Sequence, residues 1–146
     1  MANGRTARSL AYLLAKFDGI RLLFVAPETL GMGSDIKQHL EEKGVAFAEE
    51  SRLETALPQS DVVYWTRIQK ERLGSESAYE ELHSRFVIGA LQLHLMKPHA
   101  VLMHPLPRLS EIPQEVDADP RAWYFRQAGN GMFIRMSLLE WIFEGD

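Results

Sequence analysis

Two arginines and one proline-rich turn are the residues whose types and positions best suit chemistry. Arg5 lies in the first turn of a predicted helix, where free backbone N–H groups and the helix dipole favour an anion. Arg67 follows a predicted strand, and Gln69 lies two residues further on. Because a guanidinium group binds a carboxylate through two parallel hydrogen bonds, two arginines suit a ligand with two carboxylates, to which Gln69 adds a neutral hydrogen bond. These residues predict binding and orientation of a ligand rather than nucleophilic attack by a side chain. A solvated arginine at a helix start and an ordinary charged loop are the alternatives for Arg5 and Arg67.

The turn Pro105-Leu106-Pro107 follows a short predicted strand that begins at Val101 and stops at His104. Proline fixes its own φ, lacks an N–H and restricts the residue before it, so the strand cannot continue through the turn. Either proline bond can be cis, and the stiff turn can offer fixed carbonyl groups to an NH2 group of a ligand. A purely structural turn followed by a surface arginine, Arg108, is the alternative and is the commoner use of such a sequence.

Gly31-Met32-Gly33 invites a nucleotide-binding interpretation, because it falls between a predicted strand and a predicted helix. Glu49 and Glu50, after the next strand, would then imitate the acidic residue that binds a ribose. Ile36 occupies the position of the third glycine of that fingerprint, however. A flexible strand-to-helix loop is therefore the favoured interpretation.

The alternation of predicted strands and helices places these residues in an α/β fold. The sequence predicts a doubly wound, mostly parallel, Rossmann-like sheet of about 4–5 strands with helices on both faces. In such a sheet the carboxyl ends of the strands share one edge, where ligands bind. The predicted strands are Leu22–Ala26, Val45–Ala48, Asp61–Arg67, a short one at Phe86–Gly89, and the one that begins at Val101.

The predicted helices differ in how they present their apolar residues. The first, capped by Asn3, carries Leu10, Leu13, Leu14 and Phe17 on one face. The others are Ser34–Lys43, Leu53–Leu57, Ser75–Arg85, and Trp123 to Phe143, the last as a helix pair or as one helix broken near Gly129-Asn130-Gly131.

Composition excludes several classes of function. The chain has 146 residues, typical of one domain, and its net charge of −4 argues against a nucleic acid or an anionic membrane as partner. No cysteine is present, and the first residues include no apolar signal region, so we expect a cytoplasmic protein. His83, His94 and His99 lack the spacing of metal ligands and are predicted to be surface or capping residues.

Four motifs, in this order along the chain, resemble the second half of the aspartate carbamoyltransferases. The similarity covers essentially the whole chain. The ornithine-specific relatives carry a cysteine in the turn after the histidine, where this chain has Pro105, and that difference favours aspartate. The motifs are Asn3-Gly4-Arg5-Thr6, Thr66-Arg67-Ile68-Gln69-Lys70-Glu71-Arg72, His104-Pro105-Leu106-Pro107-Arg108 and Tyr124-Phe125-Arg126-Gln127-Ala128-Gly129-Asn130-Gly131.

The resemblance implies a reaction and a role for each site residue. The amino group of L-aspartate attacks carbamoyl phosphate, giving carbamoyl aspartate and phosphate, at the first committed step of pyrimidine synthesis. Arg5 and Arg67 are implied to clamp the two aspartate carboxylates beside Gln69. Leu106 and Pro107 are implied to meet the carbamoyl group, with a cis bond before Pro107. No cofactor or metal is expected, and the full enzyme is expected to be a homo-oligomer, a trimer.

Two departures from the family pattern qualify the resemblance. Arg8 stands where the family usually has histidine. The Ser-Thr-Arg-Thr loop that holds the phosphate belongs to the family's amino-terminal domain, and no such motif occurs in this sequence. Residues 1–146 are therefore expected to form a single aspartate-binding domain that is inactive without the carbamoyl-phosphate-binding domain. A stand-alone, non-catalytic amino-acid-binding or assembly module is the alternative.

The last predicted helix carries a wider apolar stripe than one sheet can cover. In the resembling family this helix packs on the amino-terminal domain, so part of the stripe is expected to lack its cover here. The stripe includes Phe133, Met136, Leu139, Trp141, Ile142 and Phe143.

Overall fold

The computed structural model describes residues 4–68 and 75–144, which fold into two compact units. The first unit comprises the residues up to Ser60 together with Leu91–Lys97, and the second comprises Asp61–Ala90 and the chain from Pro98 onwards. Each unit contains one pair of strands. The helices are α1 (Arg5–Leu14), α2 (Ser34–Glu42), α3 (Leu53–Ala56), α4 (Glu76–Arg85), α5 (Ala90–Leu95) and α6 (Tyr124–Glu144), and the strands are β1 (Arg21–Val25), β2 (Ala46–Glu50), β3 (Val62–Tyr64) and β4 (Val101–Met103).

All of the described strand pairs are parallel, which confirms the predicted α/β class. β1 pairs with β2 from Arg21↔Ala46 onwards, and β3 pairs with β4 from Val62↔Val101 onwards. In the described residues these ladders make two two-stranded sheets, whereas the sequence predicted one sheet of about 4–5 strands. One of the missing strands is the one predicted at 86–89, and that prediction is wrong. In the described chain the Ile88 N–H donates to the carbonyl of Glu111 at 2.9 Å, and this single hydrogen bond does not extend into a ladder.

The core of the first unit is formed by α1 and α2 against the β1–β2 pair. Ile36 and Leu40 of α2 are completely buried, and Phe24 and Met32 pack with them. α1 contributes its alanine side, with Ala11 buried and Ala7 and Ala15 packed beside it. The larger apolar face predicted for this helix is not the core face, since Leu10 and Leu14 are half-buried and Leu13 and Phe17 are exposed. Small side chains at i, i+4 and i+8 let the helix lie close to α2.

The core of the second unit lies around the β3–β4 pair. Leu102, at the centre of β4, is completely buried, and its backbone also bridges to Ala122 just before α6. Trp65 stacks on Phe86 with 6.3 Å between ring centroids. The acidic segment predicted to be irregular contains a short 3-10 helix, Gln114–Ala118, which buries Val116.

α6 is one continuous helix of 21 residues, and the predicted break near Gly129-Asn130-Gly131 does not occur. Glycine inside a helix costs about 1 kcal/mol relative to alanine, which a long helix can tolerate. Tyr124 is the residue of α6 that is buried, and the predicted stripe is exposed, up to 76% at Trp141 and 82% at Phe143. The expectation that this stripe lacks cover is confirmed. None of the helices in the described ranges combines the length and apolar composition needed to cross a membrane.

Candidate functional site

Arg67 and the proline-rich turn leave the second unit at the same edge of its sheet. Tyr64 pairs with Met103 at the ends of β3 and β4, and the Trp65 N–H extends the ladder to the Met103 carbonyl at 2.9 Å. Arg67 lies three residues beyond Tyr64, and Leu106 lies three residues beyond Met103. The register therefore brings the two segments out side by side, with the Arg67 side chain exposed to solvent.

The turn has a backbone conformation that the surrounding groups must enforce. The Leu106–Pro107 bond is cis, as the family resemblance implied. Leu106 has φ of 47°, a left-handed value that no other non-glycine residue shows in the described part of the chain. The Leu106 N–H donates a 2.9 Å hydrogen bond to Nδ1 of His104. The side chain of His104, two residues earlier, therefore holds the backbone of Leu106 in place.

His104 and Glu111 form a buried polar pair beside the turn. Their exposed fractions are 1% and 2%. Nε2 of His104 lies 3.1 Å from Oε1 of Glu111, although it is not aligned for a normal hydrogen bond. Burial alone would raise the pKa of Glu111, but His104 and the N–H of Leu109, which donates to Oε1 at 3.0 Å, hold it below its ordinary value.

Arg108 is a structural residue rather than the surface arginine of the alternative interpretation. Its Nη2 lies 2.6 Å from Oδ2 of Asp117, and its Nη1 donates to the hydroxyl of Tyr124 at 3.2 Å and to the carbonyls of Ile112 and Pro113 at 3.2 and 3.3 Å. The Tyr124 hydroxyl in turn donates to Asp117. Arg108 thus ties the turn to the 3-10 helix and to the start of α6.

This network makes stability depend on pH. The hydrogen bond from Tyr124, together with the Arg108 guanidinium, lowers the pKa of Asp117, and the pKa of Glu111 is also lowered. A carboxyl group whose folded-state pKa is depressed stabilises the protein above its unfolded-state pKa, roughly 4, and loses that contribution as the pH falls through the folded-state value. We therefore expect the free energy of unfolding to fall between about pH 5 and pH 2.

Urea unfolding at several pH values measures this dependence. Asp117→Asn should make it shallower, whereas Glu115→Gln, at an exposed carboxylate of the same 3-10 helix, should leave it nearly unchanged. An Asp117→Asn curve parallel to that of the wild type would contradict the assignment.

Arg5 belongs to the first unit, at the first position of α1. The residue before it, Gly4, caps the helix without a side-chain hydrogen bond, and the first turn contains no acidic residue. In the described chain, no hydrogen bond or ion pair engages the exposed Arg5 side chain. Arg8, one turn later, instead pairs with Asp35 through its two terminal guanidinium nitrogens, Nη1 and Nη2, and this pair raises the pKa of Arg8. Gln69 lies outside the described residues.

The glycine pair of the first unit has a packing explanation. Oε1 of Glu49 accepts the Met32 N–H at 3.0 Å, and Oε2 lies 2.9 Å from Nζ of Lys37. A Cβ at Gly31 would approach Glu49 Oε1 to 2.8 Å, and one at Gly33 would come within 3.0 Å of the Arg8 and Asp35 side chains. Glu49, the residue proposed to imitate a ribose ligand, therefore holds this loop.

The three histidines predicted to be surface or capping residues, His83, His94 and His99, are partly or fully exposed. His99 and Asp61 form an exposed pair at 3.1 Å, and Nε2 of His83 lies 3.0 Å from Oγ of Ser110. His94 is exposed. The described residues contain no cluster of three or more histidine, aspartate or glutamate side chains that could hold a metal ion.

The sequence did not reveal the two polar networks behind the turn. Their members are far apart in the chain, and Glu111 and Asp117 lie in a segment that reads simply as acidic and irregular. The signal in the sequence that could have indicated these networks is the pair of charged residues Arg108 and Glu111 directly after the turn. Which charged residue becomes buried depends on tertiary packing.

Comparison with known proteins assigns the family. The family model described as "Aspartate/ornithine carbamoyltransferase, Asp/Orn binding domain" matches residues 2–142. The chain is 53% identical to aspartate carbamoyltransferase 3, chloroplastic, of Pisum sativum and 51% identical to the chloroplastic aspartate carbamoyltransferase of Arabidopsis thaliana. Each match covers 99% of this chain and 37% of the relative's length. The chain thus spans little more than a third of these relatives.

Solved structures agree with this assignment. The catalytic subunit of M. jannaschii aspartate transcarbamoylase matches with a TM-score of 0.88 and 37% identity, over 94% of this chain and 46% of that one. The Trypanosoma cruzi enzyme in complex with aspartate and phosphate matches with a TM-score of 0.78 and 39% identity, over 93% and 42%. Together with the α/β units and the strand-edge turn, these similarities show that the chain belongs to the aspartate/ornithine-binding domain family of the carbamoyltransferases.

Proposed function

We propose that this chain provides the aspartate-binding part of an aspartate carbamoyltransferase of pyrimidine biosynthesis. In that reaction the amino nitrogen of L-aspartate attacks the carbamoyl carbon of carbamoyl phosphate, the carbon–oxygen bond to phosphate breaks, and N-carbamoyl-L-aspartate and phosphate leave. The observation that carries the proposal is the shared strand edge from which Arg67 and the Leu106–Pro107 turn emerge. The identity to aspartate carbamoyltransferases along nearly the whole chain supports it.

The proposed roles follow from the chemistry of the ligands. Arg67 and Arg5 each bind one carboxylate of aspartate through a guanidinium fork, and Gln69 adds a neutral hydrogen bond. Arg5 is suited to this role because the first turn of its helix has open N–H groups and contains no acidic residue. Leu106 and Pro107 meet the carbamoyl group, whose NH2 needs hydrogen-bond acceptors at fixed positions.

Catalysis by this part of the enzyme consists of orientation. Aspartate supplies the nucleophile and carbamoyl phosphate supplies the leaving group, so the protein holds the amino nitrogen against the carbamoyl carbon and stabilises the developing charge. We propose that the reaction uses no cofactor.

We further propose that the 146 residues act together as one domain and need a partner domain for activity. The family model extends across both compact units, which supports one functional domain. The chain spans 37% of its relative's length and contains no Ser-Thr-Arg-Thr motif, which supports the proposal that another polypeptide segment supplies the phosphate-binding groups. The complete enzyme would be a homo-oligomer, and we propose a trimer.

A complementation assay tests the proposed function. The purified chain alone should release no phosphate from carbamoyl phosphate in the presence of aspartate. Adding the carbamoyl-phosphate-binding half of the Pisum sativum relative should restore formation of carbamoyl aspartate, at a rate within the range of about 1–1,000 per second that is typical of enzymes. Turnover by the chain alone, or aspartate binding without any turnover in the mixture, would contradict the proposal; the second result would indicate a non-catalytic amino-acid-binding module.

Cellular location is a separate proposal. The composition led us to propose the cytoplasm, whereas the plant relatives are named chloroplastic. Fractionation of the source cells, with detection of the chain by antibody, distinguishes the two compartments.

A further inference from the structure

We propose that His104 and Glu111 are positioning residues that hold the Leu106–Pro107 turn in the conformation that meets the carbamoyl group. The inference rests on the proposed function, because it assigns a task to that turn. Neither residue is proposed to touch substrate. Both act through the turn backbone, which they bind at two points.

The first point is the N–H of Leu106. A left-handed backbone is unfavourable at a leucine and persists only where the surroundings enforce it. The 2.9 Å bond to His104 Nδ1 is such a constraint. Because Nδ1 accepts this bond it carries no proton, so the ring proton lies on Nε2, the nitrogen that faces Glu111.

The second point is the N–H of Leu109, which donates to Oε1 of Glu111 at 3.0 Å. The same oxygen lies 3.1 Å from Nε2 of His104. One carboxylate oxygen therefore accepts the backbone N–H of Leu109, two residues after the turn, and lies beside the His104 ring that holds Leu106. The backbone of Glu111 is fixed as well, because its carbonyl accepts the Ile88 N–H.

The base of the turn is held by a third side chain. Oε1 of Gln127, on α6, accepts the N–H of His104 at 3.0 Å. His104 is therefore fixed by its own backbone as well as by its ring. Its position then follows from β4 and α6 rather than from the turn that it supports.

Burial argues that this pair serves a specific conformation. Removing a charged group from water is costly, and replacement of a buried polar pair by apolar side chains is often neutral or stabilising. His104 and Glu111 are nonetheless 99% and 98% buried beside a turn with an unfavourable backbone angle. Because His104 binds the N–H of Leu106 and Glu111 binds the N–H of Leu109 just beyond the turn, we assign the pair the task of fixing that angle.

Two substitutions at Glu111 and one matched control test the proposal. Glu111→Gln keeps an oxygen that can accept both contacts, whereas Glu111→Leu removes it. Glu115→Leu makes the same chemical change at an exposed position of the neighbouring 3-10 helix. Each variant is studied as the 146-residue chain by NMR, and is then mixed with the carbamoyl-phosphate-binding half of a relative for kinetics.

In the wild type, the 15N spectrum of the His104 ring should show one protonated nitrogen, Nε2, and one unprotonated nitrogen, Nδ1. Glu111→Leu should shift the amide signals of Leu106 and Leu109 and lower kcat about 10- to 100-fold, since small displacements of a positioning group have effects of this size. The KM for aspartate should change by less than about threefold, because the aspartate carboxylates are proposed to bind Arg5 and Arg67 rather than the turn. Glu111→Gln should recover most of kcat, and Glu115→Leu should match the wild type.

A proton on Nδ1 of wild-type His104 would overturn the proposal. Because the 15N spectrum is recorded on the wild type, this test can be made even if Glu111→Leu fails to fold. Equal kcat values for the wild type and a folded Glu111→Leu variant would also overturn it. If the wild-type mixture has no activity, the proposed function fails. The ring tautomer and the Leu106 amide shift then still decide whether the pair holds the turn.

Discussion

The purified chain is expected to self-associate through α6. Beyond Tyr124 every large apolar side chain of this helix is exposed, including Trp141 and Phe143 near its end. Complete burial of one such side chain stabilises by about 1.5–3 kcal/mol, so association that buries several of them is strongly favoured. Contiguous exposed apolar surfaces are typical of interfaces.

Sedimentation at several protein concentrations, with and without a Trp141→Glu, Phe143→Lys double substitution, tests this expectation. Losing two buried side chains should raise the dimer dissociation constant by at least about 100-fold. An Arg135→Glu, Glu140→Lys charge swap on the same helix, which also leaves the net charge unchanged, should have little effect. A wild type that stays monomeric at high concentration, with both aromatic side chains protected from solvent quenchers, would mean that the helix end repacks on its own chain.

Arg67→Ala is expected to weaken aspartate binding severely in the complemented enzyme. Arg67 is exposed three residues beyond the end of β3, on the strand edge that it shares with the turn. Losing one charge-assisted contact to a carboxylate costs about 1.5–3 kcal/mol, which corresponds to a rise in the KM for aspartate of about 10- to 150-fold. Arg67→Lys, which keeps the charge but loses the fork, should fall between the wild type and Arg67→Ala.

Arg85→Ala is the matched control for this prediction. Arg85 is an exposed arginine at the end of α4, so its removal changes the net charge equally. Similar losses in the two variants would mean that the arginines act on aspartate through net charge alone. Arg5→Ala should resemble Arg67→Ala, because the proposal assigns the two arginines to the two carboxylates of one ligand.

Local sequence patterns were sufficient to predict most of the elements. β1, β2 and α2 begin and end within two residues of their predicted bounds, because their apolar periodicity and the glycine and proline residues beside them act locally. β3 is shorter than predicted and ends at Tyr64, since the chain beyond Trp65 makes no described ladder. α5 was missed, and a strand was assigned in its place just upstream, because a short apolar run fits a buried helix or a strand equally well.

The sequence by itself determined the α/β class, the family and the turn after β4, since these depend on residue order and on the fixed geometry of proline. It also predicted an uncovered apolar stripe on α6, from the width of the stripe together with the packing that the family resemblance implies. Only the tertiary structure decided that α1 packs through its alanines, that Arg108 is bound to Asp117 and Tyr124, and that His104 and Glu111 are buried together. Each of these features depends on side chains that are distant in the sequence and that close packing brings into contact. Burial then decides whether a charged group is solvated by water or paired with another side chain.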